Sequence, residues 1–509
     1  RAYLLREAMG RFSQALERLP ALGFPELYQR FVLARQRLVN LTNVIADRPE
    51  SRHFGDLQEA QAELHAAAEA IRDEVGKEHP EYRFFLQTLP VEAIRDQAAD
   101  APLIYLAATP HGGFALIVRG QGQPQVVNLP QLTEENLQKQ VLGFSAKEYQ
   151  TLQEQAYREK RKPPSPAELL GGYLGAYFNW RRNPRDESAR QAWFAALQTT
   201  LRWLGEAVMG PVLQALAPTL PPDSLVRLVP GGWLSLLPLH AALLPHPQPL
   251  SQGERGGYAL DRYTFAYAPS AQALYHARAA AARPADSLLA VDNPDGTLTF
   301  SEAEIAEARR HFPEHRHLLN KRASVEAVRQ ALPACAVLHF SAHGWADWSE
   351  GEASGLKLAD GNLYLRDLFD LRLERARLGI LSACESGLPG MKLLEEVTSL
   401  PSVMMQAGVP GVLGSLWAVN DLSTAMLIAR FYKNWRERGL DFPQSLREAQ
   451  RWLRDLFHDE SKLAELEAQL PESIANRFAA DQADAFYKVA ALCDLSHPNY
   501  WAAFAFYGL

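Results

Sequence analysis

A chain of 509 residues predicts about three domains at roughly 150 residues each. With 47% hydrophobic and 22% charged residues it has apolar surface for a core in each, which excludes disorder over most of its length. Lys+Arg 52 against Asp+Glu 59 leaves a net charge of -7, which argues against direct nucleic-acid binding, because neutralising phosphates needs a basic face. The three cysteines, Cys335, Cys384 and Cys493, contain no CxxC pair, so neither a disulfide scaffold nor a thiolate zinc site is expected, and a reducing, cytoplasmic setting follows. No apolar run reaches the roughly 18 residues of a membrane span, and the opening does not read as a signal peptide. The first residue, Arg1, lies inside helical sequence, so an upstream segment is expected.

Residues 1–90 read as helices. Tyr28, Phe31, Val32, Ala34 and Leu38 recur at helical spacing, as do Leu57, Ala60, Leu64, Ala67 and Ile71, with Arg48-Pro49 breaking the two. No second copy of a 34-residue repeat is evident, although the segment fits the last turns of an upstream helical solenoid. Residues 91–283 read as a mixed α/β unit. Leu103–Ala107 and Phe114–Val118 are strands around a Pro110–Gly113 turn, and Val126–Leu129 is a candidate third. Helices follow over 131–160 and 187–217, separated by a solvated basic loop at 159–164. Leu225–Val229 and Thr264–Ala268 are further strands, and residues 245–257 read as a surface insertion.

A second α/β unit covers 284–509. Leu288–Val291, Ala334–Phe340, Leu378–Leu381 and Val409–Leu416 are apolar runs alternating with helices at 324–331, 396–407, 421–438 and 442–457. Such alternation predicts a mostly parallel sheet covered on both faces. Ser301 with Glu304 three residues on has capping-box spacing.

In open α/β sheets, sites form at the carboxyl ends of strands. Two ends carry reactive side chains close to glycine: Ser341-Ala342-His343-Gly344 and Ser382-Ala383-Cys384-Glu385-Ser386-Gly387. A thiol and an imidazole on strand ends form the basis of a nucleophile–base dyad. Each alone has a plainer reading, since a buried cysteine is usually a small core hydrophobe and a histidine near a strand a hydrogen-bonded structural residue. His339 and His343, four apart, do not read as metal ligands, because a strand and its end would point the two rings in unrelated directions. Cys335 and Cys493 read as core.

These residues resemble the CHAT family of caspase-like cysteine peptidases, relatives of caspases and separase. LHFSAHG (338–344) is similar to the family's histidine motif and LGILSACESG (378–387) to its cysteine motif; GVLGSLWAVND, HPNYWAAFAFYG and GGWLSLLPLHAAL match further blocks. The resemblance implies a caspase-like catalytic half over 284–509, packed with a non-catalytic caspase-like half over 91–283. It implies Cys384 as nucleophile, His343 as acid/base, and an oxyanion hole from the backbone N–H groups of Gly344 and Cys384. It implies no cofactor and no metal, a protein substrate, and gating by upstream tetratricopeptide repeats or by a partner, as in CRISPR-associated and gasdermin-linked bacterial systems. A regulatory caspase-fold scaffold that turns nothing over is the competing reading. A nucleotide-binding α/β protein is disfavoured, because no GxxxxGK[ST] or GxGxxG follows a strand.

For specificity, Ser382, two before the nucleophile, occupies the position that in relatives helps floor the S1 pocket, and it is small and neutral. Asp421 is the nearest acidic candidate to face a basic P1 residue, with a helix N-cap as its plainer role. Asp347, Glu350 and Glu352 read as solvated residues of a loop beside the cleft, where Trp345 and Trp348 either shape a substrate groove or pack over the sheet edge.

Overall fold

In the computed structural model, the amphipathic stretches near the amino terminus form helices α1 (Pro25–Asp47) and α2 (Phe54–Glu78). The structure describes residues 16–47, 54–79, 82–245, 257–346, 353–368, 371–388, 399–456 and 494–509. Cys493, Asp347, Trp348, Glu350, Glu352 and nearly all of the insertion at 245–257 lie outside the described residues. The chain divides after Ile94 into two bodies. In the first, α1 and α2 pack through Leu27, Phe31, Ala67, Ile71 and Val75, with Tyr82 and Phe85 closing the core. The Phe31 and Phe85 rings meet edge to face at 5.4 Å, an arrangement the aromatic quadrupole favours.

Among the described residues, the second body is built on one sheet of eleven strands. They are β1 (Leu103–Thr109), β2 (Gly112–Val118), β3 (Gln125–Leu129), β4 (Leu225–Pro230), β5 (Thr264–Tyr267), β6 (Ser287–Asp292), β7 (Glu314–Leu319), β8 (Val337–Ser341), β12 (Leu378–Ser382), β13 (Gly411–Ser415) and β14 (Phe504–Gly508). A small separate sheet holds β9 (Gly344–Trp345), β10 (Gly355–Lys357) and β11 (Asn362–Tyr364). The large sheet runs β3-β2-β1-β4-β5-β14-β13-β12-β8-β6-β7. Seven of its ten pairings are parallel, which makes this the α/β, mostly parallel architecture the sequence pattern predicts. Strands β6, β8, β12 and β13 are buried at every position, because helices cover both faces.

The helices that matter for the site are α3 (Gly172–Arg182), α4 (Glu187–Leu204), α5 (Ser301–Arg310), α6 (Leu400–Gln406), α7 (Asp421–Arg436), α8 (Phe442–Asp455) and α9 (Pro498–Trp501). The helix expected over 187–217 is interrupted by a π turn at Gly205–Met209. The backbone of Leu243 presses on it there, so closely that a Cβ on Gly205 would sit 1.7 Å from the Leu243 carbonyl oxygen.

The carboxyl-terminal strand joins the two halves into a single sheet. β14 pairs antiparallel with β13 and parallel with β5, Tyr507 lying opposite Tyr267. His240, from the block at 231–243, stitches this seam. Its Nδ1 accepts from the Tyr267 hydroxyl (2.8 Å) and its Nε2–H donates to the Ala502 carbonyl (3.1 Å). From α8, Gln450 donates to the Phe504 carbonyl at 2.9 Å.

The capping box expected at Ser301 does not form. Phe300 occupies the N-cap position, and the Ser301 hydroxyl donates to Asp292. Glu304 turns inward and accepts from His339 Nε2 at 2.7 Å. A cap is worth about 1 kcal/mol, whereas a buried carboxylate left without a partner costs several, so the buried pairing wins.

Burial pushes His240 and His497 down to about 4 from an ordinary 6.5. The unfolded chain takes up these protons near 6.5 and the folded chain only near 4, so stability is fully present above 6.5 and is lost as pH falls through that window. Each site contributes on the order of 3 kcal/mol. Denaturant titrations of His240→Gln are expected to show a pH dependence between 6.5 and 5 shallower than the parent's; equal slopes would show that His240 takes up its proton alike in both states.

Candidate active site

β8 and β12 are neighbours in parallel register, and their ladder ends with Ser341 opposite Ser382. His343 and Cys384 each stand two residues beyond that rung. Adjacent strands lie about 4.8 Å apart, so pairing alone delivers the imidazole and the thiol to the same end of the sheet. One further backbone bond, Ala342 N–H to the Ser382 carbonyl (3.4 Å), continues the ladder toward them.

The turn that carries the thiol is pinned to the end of β13 through Ser415. Ser415 Oγ donates to the Ala383 carbonyl (2.6 Å), its N–H donates to Ser386 Oγ (2.9 Å), and its carbonyl accepts from Gly387 N–H (2.7 Å). A side chain at Gly387 would press on the Ser415 carbonyl at 3.0 Å. The residue after the thiol, Glu385, adopts a left-handed φ of 60° and is buried. Its Oε1 accepts from the Tyr177 hydroxyl and from Arg181 Nε (3.0 Å), both on α3, and its Oε2 accepts from Ala346 N–H (3.2 Å).

His343 is partly exposed, and its Nε2 lies 2.7 Å from Thr297 Oγ1. The Thr297 hydroxyl spends its one hydrogen on Asp295 Oδ1 (2.7 Å), so it can only accept from the ring. The network therefore assigns the Nε2–H tautomer and leaves Nδ1 as the basic nitrogen. Asp295 is also held by Lys357 Nζ at 3.0 Å. Among the described residues, no hydrogen bond joins the thiol to the imidazole.

Gly344 is required by packing. A Cβ there would lie 2.7 Å from the Cys384 carbonyl oxygen and 3.2 Å from the Ala383 Cβ. Lys357 N–H donates to the His343 carbonyl (2.8 Å), which makes His343–Lys357 a hydrogen-bonded pair of the β9–β10 ladder. Gly344, in the next pair, turns its N–H away from β10.

The thiol of Cys384 is pushed above the ordinary thiol value, mainly by burial. A backbone hydrogen bond from Val419 and the Arg181 guanidinium work against that shift, while Glu385 and Asp421 add to it. Asp421 makes the smallest of these contributions. It does not cap α7: Asn420 does, accepting from Ser423 N–H at 3.1 Å. Asp421 Oδ2 instead accepts from Thr299 N–H (2.7 Å) and Phe300 N–H (3.0 Å). Ser382 is buried at the strand end. Trp345 donates its indole N–H to the Ala353 carbonyl at 3.1 Å.

Metal chemistry finds no footing at the two histidines, since buried His339 is spent between Glu304 and the Tyr432 hydroxyl (3.1 Å). Among the described residues Glu307, His311 and Glu437 do come together, but Glu307 is already paired with Arg310 and His311.

A model of the CHAT domain matches residues 198–509, more than half of the chain. The chain belongs to the CHAT-domain family. No curated protein matches it. Among solved structures it is similar to Saccharomyces cerevisiae separase in its complex with securin, with 12% identity and a TM-score of 0.46 over 82% of this chain and 30% of that one. It is also similar to the Arg-specific cysteine proteinase gingipain R, with 9% identity and a TM-score of 0.35 over 64% of this chain and 68% of that one. The Porphyromonas gingivalis RgpB pro- and mature-domain complex matches with 10% identity and a TM-score of 0.33, over 62% of this chain and 68% of that one. The CHAT chain thus spans about a third of the length of the separase it resembles.

In this CHAT chain, the blocks that lack His343 and Cys384 build the support. Trp417 donates to the Asn499 carbonyl (3.0 Å), and Trp193 to Asn499 Oδ1 (2.8 Å). Sequence reading overlooked Tyr177, Arg181, Asp295 and Thr297, which sit far from the motifs in the chain. The one available signal was Glu385, a charged residue inside an otherwise small and apolar motif.

Alkylation of Cys384 by iodoacetamide is expected to rise with pH through a midpoint above that of an ordinary thiol, because burial disfavours the thiolate. Asp421→Asn removes a negative neighbour and is expected to lower that midpoint. Mass mapping of alkylation against pH measures both, and an upward shift in the variant would contradict this electrostatic account.

Proposed function

We propose that this chain is a cysteine endopeptidase that cleaves a protein substrate through Cys384 and His343. The observation that carries the reading is the β8–β12 register, which sets a thiol and an imidazole two residues past the same rung. The raised thiol means that the nucleophile rests protonated, so a base must take its proton during attack. His343 Nδ1 is that base. The sulfur then attacks the scissile carbonyl carbon, and the oxyanion is met by the N–H groups of Gly344 and Cys384. Collapse of the tetrahedral adduct breaks the C–N bond, the leaving amine takes the proton back from His343, and a thioester remains. Water, deprotonated by His343, attacks the thioester and releases the acid and the free thiol. Asp295 and Thr297 hold the ring in the tautomer this sequence of steps needs.

The chemistry requires no cofactor or metal. Gating by upstream repeats or by a regulatory protein partner, of the kind used in CRISPR-associated or gasdermin-linked systems, belongs to the proposal through the family. A cytoplasmic setting is part of it as well; no helix among the described residues is long and apolar enough to cross a membrane.

Cys384→Ala is expected to abolish peptide cleavage and labelling by an electrophilic peptide probe, with a melting temperature close to the parent's. His343→Ala is expected to lower turnover of amide substrates by ~10²–10⁴-fold. Cleavage that persists in Cys384→Ala would show that Cys384 is not the nucleophile, and a parent that neither cleaves nor takes label would turn the reading toward a scaffold.

Asp421 is proposed as the counter-charge for a basic P1 side chain, with neutral Ser382 leaving room for its length. Its Oδ2 is engaged by the 299–300 backbone, so Oδ1 is the oxygen offered to substrate. A P1 scan is expected to favour Arg and Lys over Leu by roughly tenfold or more in the parent, as a charge-assisted hydrogen bond contributes about 1.5–3 kcal/mol. Asp421→Asn is expected to erase the preference. A variant that keeps it would assign P1 selection to shape.

A further inference from the structure

We propose that α3, in the half of the sheet that carries no cysteine, is a positioning element of the active site, with Tyr177 and Arg181 holding the nucleophile turn in its reactive conformation through Glu385. The proposal rests on the peptidase reading for its turnover readout, though not for its thiol readout.

Glu385 follows Cys384 directly and is held at φ 60°, a left-handed conformation that is strained for a non-glycine residue. It persists only if its side chain is anchored, and the anchor is a buried carboxylate. A carboxylate in that setting needs a cation or several donors. Arg181 supplies the cation, and Tyr177 and Ala346 N–H supply the rest. The Tyr177 hydroxyl also accepts from Ala418 N–H at 2.9 Å, so each of its roles is filled. Three stretches therefore meet at one carboxylate, α3, the nucleophile turn and the segment after His343, and a fourth, Leu416–Asn420, joins them through the Tyr177 hydroxyl and reaches the thiol through Val419.

Without Arg181 the carboxylate would be buried and unbalanced. Glu385 would swing outward, its φ would relax, and Cys384 would move with it. Arg181 is also the exposed member of the pair, with 36% of its side chain accessible against 7% for Glu385. The amino-terminal half thereby controls thiol reactivity without donating a reacting atom. Tyr177 sits among Trp180, Trp193 and Phe178, with ring centroids at 5.1–6.0 Å, so a displacement of α3 is transmitted to the hydroxyl rather than absorbed locally.

The test compares the parent with Tyr177→Phe, Arg181→Met, Arg181→Lys and the double variant Arg181→Met/Glu385→Gln. Cys384 alkylation by iodoacetamide is followed against pH, and kcat and KM are measured on a cleaved peptide. Arg181→Met is expected to slow alkylation near neutral pH by about tenfold, as the turn relaxes and the thiol loses its positive neighbour, and to lower kcat with little change in KM. Arg181→Lys is expected to stay within about threefold of the parent, because it keeps the charge. The double variant, with no unbalanced carboxylate, is expected to recover most of the alkylation rate. Tyr177→Phe is expected to slow both readouts severalfold. Parent-like alkylation profiles in Arg181→Met and Tyr177→Phe, whatever their melting temperatures, would overturn the proposal, as would a double variant no faster than Arg181→Met. If the parent cleaves no peptide, the alkylation profiles still decide this proposal by themselves, so the two failures are distinguishable.

Discussion

The ladder between β8 and β12 runs from Leu378 opposite Val337 to Ser382 opposite Ser341, and the site hangs on its last rung. A parallel ladder has one register that keeps both strands' apolar side chains in their helical covers. Fixing that register fixes how far each chain travels before it leaves the sheet. The imidazole and the thiol are therefore set by backbone pairing deep in the core, and the loops that carry them need only short reaches. Ser415 then ties the thiol turn to the next strand by three hydrogen bonds, so three consecutive strands define the same corner.

Buried polar groups make this arrangement specific. Beneath the strand end that leads to His343, His339 lies between Glu304 and Tyr432, and Asp292 takes His317 at 2.8 Å together with Ser301. Beside the thiol, Glu385 takes Tyr177, Arg181 and Ala346. Each carboxylate would be costly if any of its donors were elsewhere. α5, α7 and α3 are in this way held against the sheet by partners that tolerate little sliding, while the surrounding Leu, Ile and Val contacts supply the larger, less directional part of the stability.

At the thiol, burial outweighs the Val419 N–H and the Arg181 guanidinium, which work against it. Burial, Glu385 and Asp421 keep the thiol protonated, and the ring of His343 rests on Thr297 rather than on the sulfur. A resting thiol is a poor nucleophile. On the proposed peptidase reading, attack needs proton transfer at the moment of reaction, which places the burden on geometry: the ring nitrogen, the turn that carries Cys384, and the N–H of Gly344. On the same reading, positions that touch no substrate carry weight, since small displacements of the turn change the reach between the two groups.

Hydrophobic periodicity and strand-end glycines in the sequence determined the α/β class, the strands that flank the site, and the pairing of His343 with Cys384 as its candidates. These are local properties: a buried parallel strand announces itself by a continuous apolar run, and a reactive residue after it stands out by contrast. Helix ends were less legible. Ser301 has the spacing of a cap, yet its hydroxyl goes to Asp292, because pairing buried carboxylates outweighs satisfying one helix end. Asp421 sits where a cap is expected, but Asn420 reaches the orphan N–H first, leaving Asp421 to bind the 299–300 backbone. Only the tertiary structure decided that β14 closes the two halves into one sheet, that Tyr177 and Arg181 reach Glu385 across more than two hundred residues of chain, and that Asp295 and Thr297 set the tautomer of His343. Such contacts leave no periodic trace, because hydrogen bonds between distant segments depend on where the folded backbone brings two side chains and not on the spacing of either in the sequence.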